Sequence, residues 1–197
     1  RRSQRDEAGR LAARGQVGSA PIMRIACLNL APVAASGDTP LKDVRVRQAV
    51  AHAIDREAIT RAFAGGASEV LKAFCNPAQF GCTDAVTQYA YDPDKAKALL
   101  AEAGYKDWLS LPMTFAAMPR PVAEAIAADL AKVGITVQLD ELQYAAGVSK
   151  WRERQAPAFF SNWGSYGVGD VAFLLSNFFG GGADDLVQDA ELSGWLH

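Results

Sequence analysis

The stretch between residues 111 and 139 constrains the fold of this chain more than any other. Residues 111–117 read as a strand, 122–133 as a helix, and 135–139, following Gly134, as a second strand. Val122, Ile126, Leu130 and Val133 recur at helical spacing, so one side of that helix must face a core. Ile135, Val137 and Leu139 alternate with polar residues, as a strand with one covered face does. Strand, helix and strand over so short a length form a βαβ unit, with parallel strands and a right-handed crossover. The expected class is α/β, a mixed sheet flanked by helices.

Other elements follow from period and punctuation. Val46, Ala49, Val50, Ala53 and Ile54 lay an apolar stripe along a helix, with Asp43 placed to cap it and to pair with Arg47 four residues on. Asp55 interrupts the stripe before Ile59, Ala62 and Phe63 resume it, which predicts two consecutive helices, the second ended by Gly65-Gly66. Asp92 as cap, Pro93 at the first turn and Gly104 at the end bound another helix, with Ala96, Leu99, Leu100 and Ala103 turned inward. Residues 21–29 read as a strand buried on both faces, holding Cys27 as an inert buried thiol. Residues 31–39 form a loop, 145–155 a helix, 158–163 a strand and 171–179 a short helix or extended wall. Residues 1–16, charged and alanine-rich, are consistent with a short uncapped helix.

The string Pro40-Leu41-x-Asp43-x-Arg45-Val46-Arg47-Gln48-Ala49, followed by Ala53-Ile54-Asp55-Arg56, resembles the signature region of family 5 extracellular solute-binding proteins. These are the peptide, oligopeptide and nickel receptors of bacterial ABC transporters. Tyr91-Asp92-Pro93, continued by Ala96, Leu99-Leu100 and Ala103-Gly104-Tyr105, resembles a second hallmark of that family, one with a structural role. The resemblance runs from about Ala20 to Trp195 and implies a periplasmic-binding-protein-like (type II) lobe. Family members are more than twice this long, so residues 21–197 correspond to the C-terminal ligand-binding lobe and 1–20 to a segment without assigned structure. The chain, which starts Arg1-Arg2-Ser3 without an initiator Met or a signal-peptide core, reads as processed or cut. Also implied are a peptide or small-molecule ligand, an ABC permease as partner, a periplasmic location and a monomer without a cofactor.

Open α/β sheets bind ligands just beyond the carboxyl ends of their strands, and two segments answer that description. In Ala117-Met118-Pro119-Arg120-Pro121 the guanidinium of Arg120 can meet a carboxylate. This segment is similar to the family's Met-Pro-x-x-Arg-Pro, shortened by two residues, whose arginine meets the ligand carboxylate in dipeptide receptors. The second segment holds Trp163, Gly164, Ser165, Tyr166 and Asp170, an aromatic wall followed by glycines that leave room for a ligand. It resembles the family's Trp-x-x-Asp, whose acid holds a ligand amine; Tyr166 stands at the matching position and Asp170 lies four residues later. A surface arginine and a core-packed Trp163 are the plain alternatives.

Cys75 and Cys82, seven residues apart with no histidine nearby, are too few for a zinc site and read as a disulfide closing a small loop. Two reduced thiols are the alternative. A net charge of −2 with both signs interspersed offers no basic surface to nucleic acid, and no apolar run reaches the ~20 residues of a membrane span. Catalytic devices are sparse: His197 is terminal, and His52 falls opposite the apolar stripe, where it should be solvated. Asp184-Asp185 reads as a solvated turn, and Gly180-Gly181-Gly182 lacks the Lys-Ser/Thr of a phosphate loop. The expected activity is therefore ligand capture without chemistry and without a metal. An α/β enzyme using Asp170 and Glu141 as an acid/base pair, and an interaction module, are the competing readings.

Overall fold

A computed structural model describes residues 15, 22–64, 68–165 and 167–196. The expected helix at 1–16, Gly65-Gly66, Tyr166 and His197 lie outside the described residues apart from Gly15. Strands β1 (Arg24–Leu30), β4 (Leu109–Ala116), β5 (Ile135–Leu142) and β6 (Ala158–Gly164) form one sheet in the order β1-β6-β4-β5. β4 runs parallel to both β5 and β6, and β1 antiparallel to β6, so the sheet is mixed as expected. The short strands β2 (Val33–Ala34) and β3 (Gly37–Asp38) pair separately.

β4 lies between its parallel neighbours, and its residues sort by parity. Leu109, Leu111, Met113 and Phe115 enter the main core together with Val122, Ile126, Leu130 and Val133 from the crossover helix α4 (Arg120–Ala131) and the turn after it. Helices α1 (Val44–Ala53) and α3 (Pro93–Glu102) complete that core through Val46, Ala49, Val50, Ala53, Ala96 and Leu100. Ala116 belongs instead to a smaller cluster with Ala31, Phe159, Leu186 and Trp151, the last on α5 (Tyr144–Arg152). Gly147 brings α5 close to the sheet, because a Cβ there would stand 2.9 Å from the Ala116 Cβ and 3.1 Å from the Phe159 ring.

The expected caps are present. The Asp43 carboxylate accepts from the Arg45 N–H and the Asp92 carboxylate from the Lys95 N–H. Gly104 has φ +89°, the left-handed conformation that ends a helix without a Cβ penalty. Asp43 pairs with the Arg45 side chain rather than with Arg47, whose guanidinium donates to the Leu41 and Lys42 carbonyls. That guanidinium of Arg45 holds the Asp43 carboxyl below the usual carboxylate range.

Four expectations fail for reasons of packing. β1 is an edge strand with only Ile25 buried, because no strand pairs on its outer side in the described sheet. Helix α2 (Arg56–Ala64) has no buried residue, and Phe63 is exposed. His52 is buried, not solvated: residues 89–92 cover it, its Nδ1–H donates to the Ala90 carbonyl at 2.6 Å, and its ring meets Tyr89 edge-on. Asp185 is also buried and accepts from the Gly181, Val187 and Gln188 N–H groups, while Asp184 pairs with Arg152. Those three backbone donors make the turn an internal cradle for the Asp185 carboxylate. Cys27 is half-buried, and desolvation pushes its thiol up to about 11, partly offset by the Asn29 amide. It is protonated at neutral pH and a poor nucleophile.

Candidate functional site

The carboxyl ends of β4, β5 and β6 lie on one edge of the sheet, since the three strands are parallel. From β4 the chain crosses to β5 on one side and returns through α5 to β6 on the other, so this edge carries a switch of strand order. Ala117, directly after β4, has φ +57°, an uncommon conformation for a residue with a side chain.

Asn162 joins the two segments singled out in the sequence. Its Nδ2 donates to the Ala117 carbonyl at 3.0 Å and reaches the Met118 sulfur at 3.7 Å, while its Oδ1 accepts from Arg24 Nη1 at 2.7 Å. Arg24 opposes Gly164 in the β1–β6 register, and the missing side chain of Gly164 leaves its place beside the Arg24 Nε. Neither Asn162 nor Arg24 was foreseen as a site residue. An Asn next to a strand-end Trp was the available signal; Arg24 depends on a pairing across more than a hundred residues, which no local pattern encodes.

Arg120 opens α4, but its guanidinium is already engaged. Its Nε and Nη2 both lie 2.8 Å from Glu141 Oε2, Nη1 lies 3.6 Å from Glu124, and the group sits 5.5 Å from the centre of the Phe115 ring. The β4–β5 register causes this by setting Glu141 opposite Phe115, one turn of chain from Arg120. Nearby, Asp140 accepts from Lys150 at 2.7 Å and from Thr114 at 3.2 Å, and the Lys150 hydrogen bond is the main reason its carboxyl lies below the usual range.

On the β6 side, Trp163 is half-buried and packs against Phe173 and Phe178 of helix α6 (Ala172–Phe179), with ring centres 5.7 Å apart in each case. Phe74 adds a fourth ring, 5.2 Å from Phe178. Phe173 remains exposed. Ser165 is fully buried, and its hydroxyl has no hydrogen-bond partner among the described residues. Asp170 is exposed and its Oδ1 accepts from the Ala172 N–H at the start of α6. Asp170 and Glu141 thus each have a partner of their own, and no hydrogen bond joins them among the described residues.

The Cys75–Cys82 disulfide is closed, with Cα atoms 5.8 Å apart. A separate cleft of about 490 Å³ lies at the amino ends of β4 and β6, lined by Pro40, Leu111, Arg154 and Pro157 among others. Its position is the reverse of where an open α/β sheet binds ligands, so the carboxyl edge is the better candidate. Among the described residues no three His, Cys, Asp or Glu side chains are grouped so as to hold a metal ion, and no helix is long and apolar enough to cross a membrane. The carboxyl edge can offer aromatic surface and a guanidinium, which is equipment for holding a ligand.

The mixed α/β fold is periplasmic-binding-protein-like, as its superposition on solved structures shows. The structure of HbpA2 from Haemophilus parasuis superposes with a TM-score of 0.72 at 30% identity, covering 80% of this chain and 31% of that one. Residues 4–185 match the family described as "Bacterial extracellular solute-binding proteins, family 5 Middle", and the chain belongs to that family. It is 32% identical over 165 residues to the dipeptide-binding protein of Escherichia coli K12, covering 80% of this chain and 30% of the relative. It is 35% identical over 162 residues to heme-binding protein A of Haemophilus influenzae, covering 78% and 29%. The chain therefore spans under a third of the length of these curated relatives.

Proposed function

We propose that this chain is the C-terminal ligand-binding lobe, residues 21–197, of the substrate-binding component of a bacterial ABC importer. It takes peptides or peptide-like solutes and captures them between two lobes, in the periplasm, as a monomer and without catalysing a reaction. The observation that carries this reading is the aromatic rim of Trp163, Phe173 and Phe178 at the carboxyl edge of a family 5 lobe. The dipeptide-binding relative supports peptides as the ligand class.

Within that site, Trp163, Gly164 and Asp170 face the ligand; Ser165, fully buried, lies beneath them, and Tyr166 belongs to the same segment by sequence. Arg120 contributes less directly than its position in the sequence promises, because a ligand carboxylate would have to compete with Glu141 for its guanidinium. Arg24, whose partner Asn162 is neutral, has no acidic partner among the described residues and is the better anchor for a ligand carboxylate.

Titration calorimetry with di- to hexapeptides on the full-length receptor and on this chain tests the reading. Hinge closure around a ligand predicts measurable binding to the receptor and much weaker binding to the lobe alone. Equal affinities would sink the two-lobe account. Trp163→Ala in the receptor is expected to weaken peptide binding by about tenfold or more, as loss of a buried aromatic anchor does. Hemin belongs among the probes, because a relative of similar identity is named for heme; hemin binding without peptide binding would replace peptides as the ligand class.

A further inference from the structure

The segment 167–171 follows the candidate site and has little regular structure of its own, yet it is fastened along its length by a loop 89 residues earlier. Three kinds of contact do this. Gln79, itself 4% exposed, donates through Nε2 to the carbonyls of Val168 and Asp170, at 3.3 and 3.5 Å. The Phe80 N–H donates to the Gly169 carbonyl at 2.7 Å, and the Val171 N–H to the Phe80 carbonyl at 3.0 Å, a short parallel bridge. Gly81, at φ +80°, lies so close that a Cβ there would stand 2.8 Å from Val171 Cγ1. Just outside both segments, Phe74 packs edge-on against Phe178.

The same loop is closed on itself. Cys75 and Cys82 bracket it, and Gln79 Oε1 accepts from the Asn76 N–H, so the side chain that reaches out is also held at its acceptor end. A buried amide that satisfies one N–H of its own loop and two carbonyls of another chain segment is placed to transmit the order of the first to the second. We propose that the disulfide-closed loop 75–82 is the positioning element of the candidate binding segment 167–171, with Gln79 as its positioning residue. Gln79 need not touch a ligand; it fixes the backbone from which Asp170 and the start of α6 project. Reduction of the disulfide releases the loop and, through it, the segment. This rests on the reading that the Trp163–Asp170 region contacts ligand, but the clamp can be measured with no ligand present.

The test is residue-resolved amide hydrogen exchange on this chain in three forms: oxidised, reduced with dithiothreitol, and Gln79→Glu. The Glu variant keeps the acceptor for Asn76 and turns the donor end into a carboxylate facing two carbonyl oxygens. Exchange at Val171 should rise about tenfold in Gln79→Glu and in the reduced protein, while amides within the β4–β5 ladder keep their rates. Gly81→Ala, which pushes the loop off Val171 by another route, should act in the same direction. Unchanged exchange at Val171 in both Gln79→Glu and the reduced protein would overturn the proposal. So would an equal rise at every amide, which signals general destabilisation. Failure of the binding reading shows elsewhere, as unchanged peptide affinity in Trp163→Ala.

Discussion

The two sides of the sheet edge make an instructive pair. Around β4 and β5, order comes from side chains buried against neighbours close in sequence, with Met113, Phe115, Leu130 and Ile135 all fully enclosed. Around the end of β6, order comes from hydrogen bonds and aromatic contacts between segments far apart, and much of the surface stays open: Phe80, Val168 and Phe173 are all exposed. The first region is stable because apolar area is removed from water. The second is held in shape with its apolar surface still available, which is what a ligand-contacting rim requires. Buried and exposed apolar area thus fall to different residues around adjacent strands.

Substitutions should separate the two regions. The largest effect belongs to the core: Phe115→Ala should cost about 3–5 kcal/mol, read by urea denaturation, because the emptied space is walled by a sheet and helices that cannot collapse into it. A cost below about 1 kcal/mol would mean that β4 is not the centre of the core. Opening the disulfide in a Cys75→Ser, Cys82→Ser double variant should cost about 2.5 kcal/mol from the entropy of a short loop. Melting curves with and without reductant check it; coincident curves would show that the bond does not form.

Gly147→Ala sits where the regions meet. Alanine gains up to about 1 kcal/mol in helix propensity, whereas crowding against Ala116 and Phe159 costs about 1–3 kcal/mol, leaving a net loss of about 1 kcal/mol. A gain in stability would show that α5 can move away from the sheet freely. The smallest effect concerns pH. Asp140 has its carboxyl lowered in the fold, chiefly by Lys150, so its contribution is complete above the ordinary Asp value of about 4 and is lost as pH falls through the lower folded value. Because the Asp140 side chain is 42% exposed and Lys150 32%, solvent screening keeps that contribution below about 1 kcal/mol. Acid denaturation of Asp140→Asn should lack this component; an identical acid limb in both proteins would remove the pair from the account.

Legibility in the sequence divides along the same line. The stripe of α1, the caps Asp43 and Asp92, the left-handed Gly104 and the βαβ unit were readable because each depends on residues within a few positions of one another. Within the site, the strand-end position of Trp163 was readable and its packing against Phe173 and Phe178 was not. Arg120 was recognisable as a loop cation, yet its engagement by Glu141 follows from the register of two strands. His52 looked exposed on a helical projection because a projection shows one helix and omits whatever packs on its other side, here residues 89–92. Asp185 was misjudged for the same reason: its glycine neighbours suggested an open turn, while the donors that bury it include Gly181 and Gln188 folded back upon it.

By itself, then, the sequence determined the α/β class, the family and the caps of two helices, and favoured a Cys75–Cys82 disulfide over two free thiols, all properties carried by short-range period, capping chemistry and motif. Only the tertiary structure decided that β1 is an edge, that Asn162 ties the β4 and β6 loops together, and that the disulfide loop lies along residues 167–171. Those features arise where backbone donors and acceptors from distant segments satisfy one another. Their partners are chosen by the packing of the whole sheet, and no local pattern of residues contains that choice.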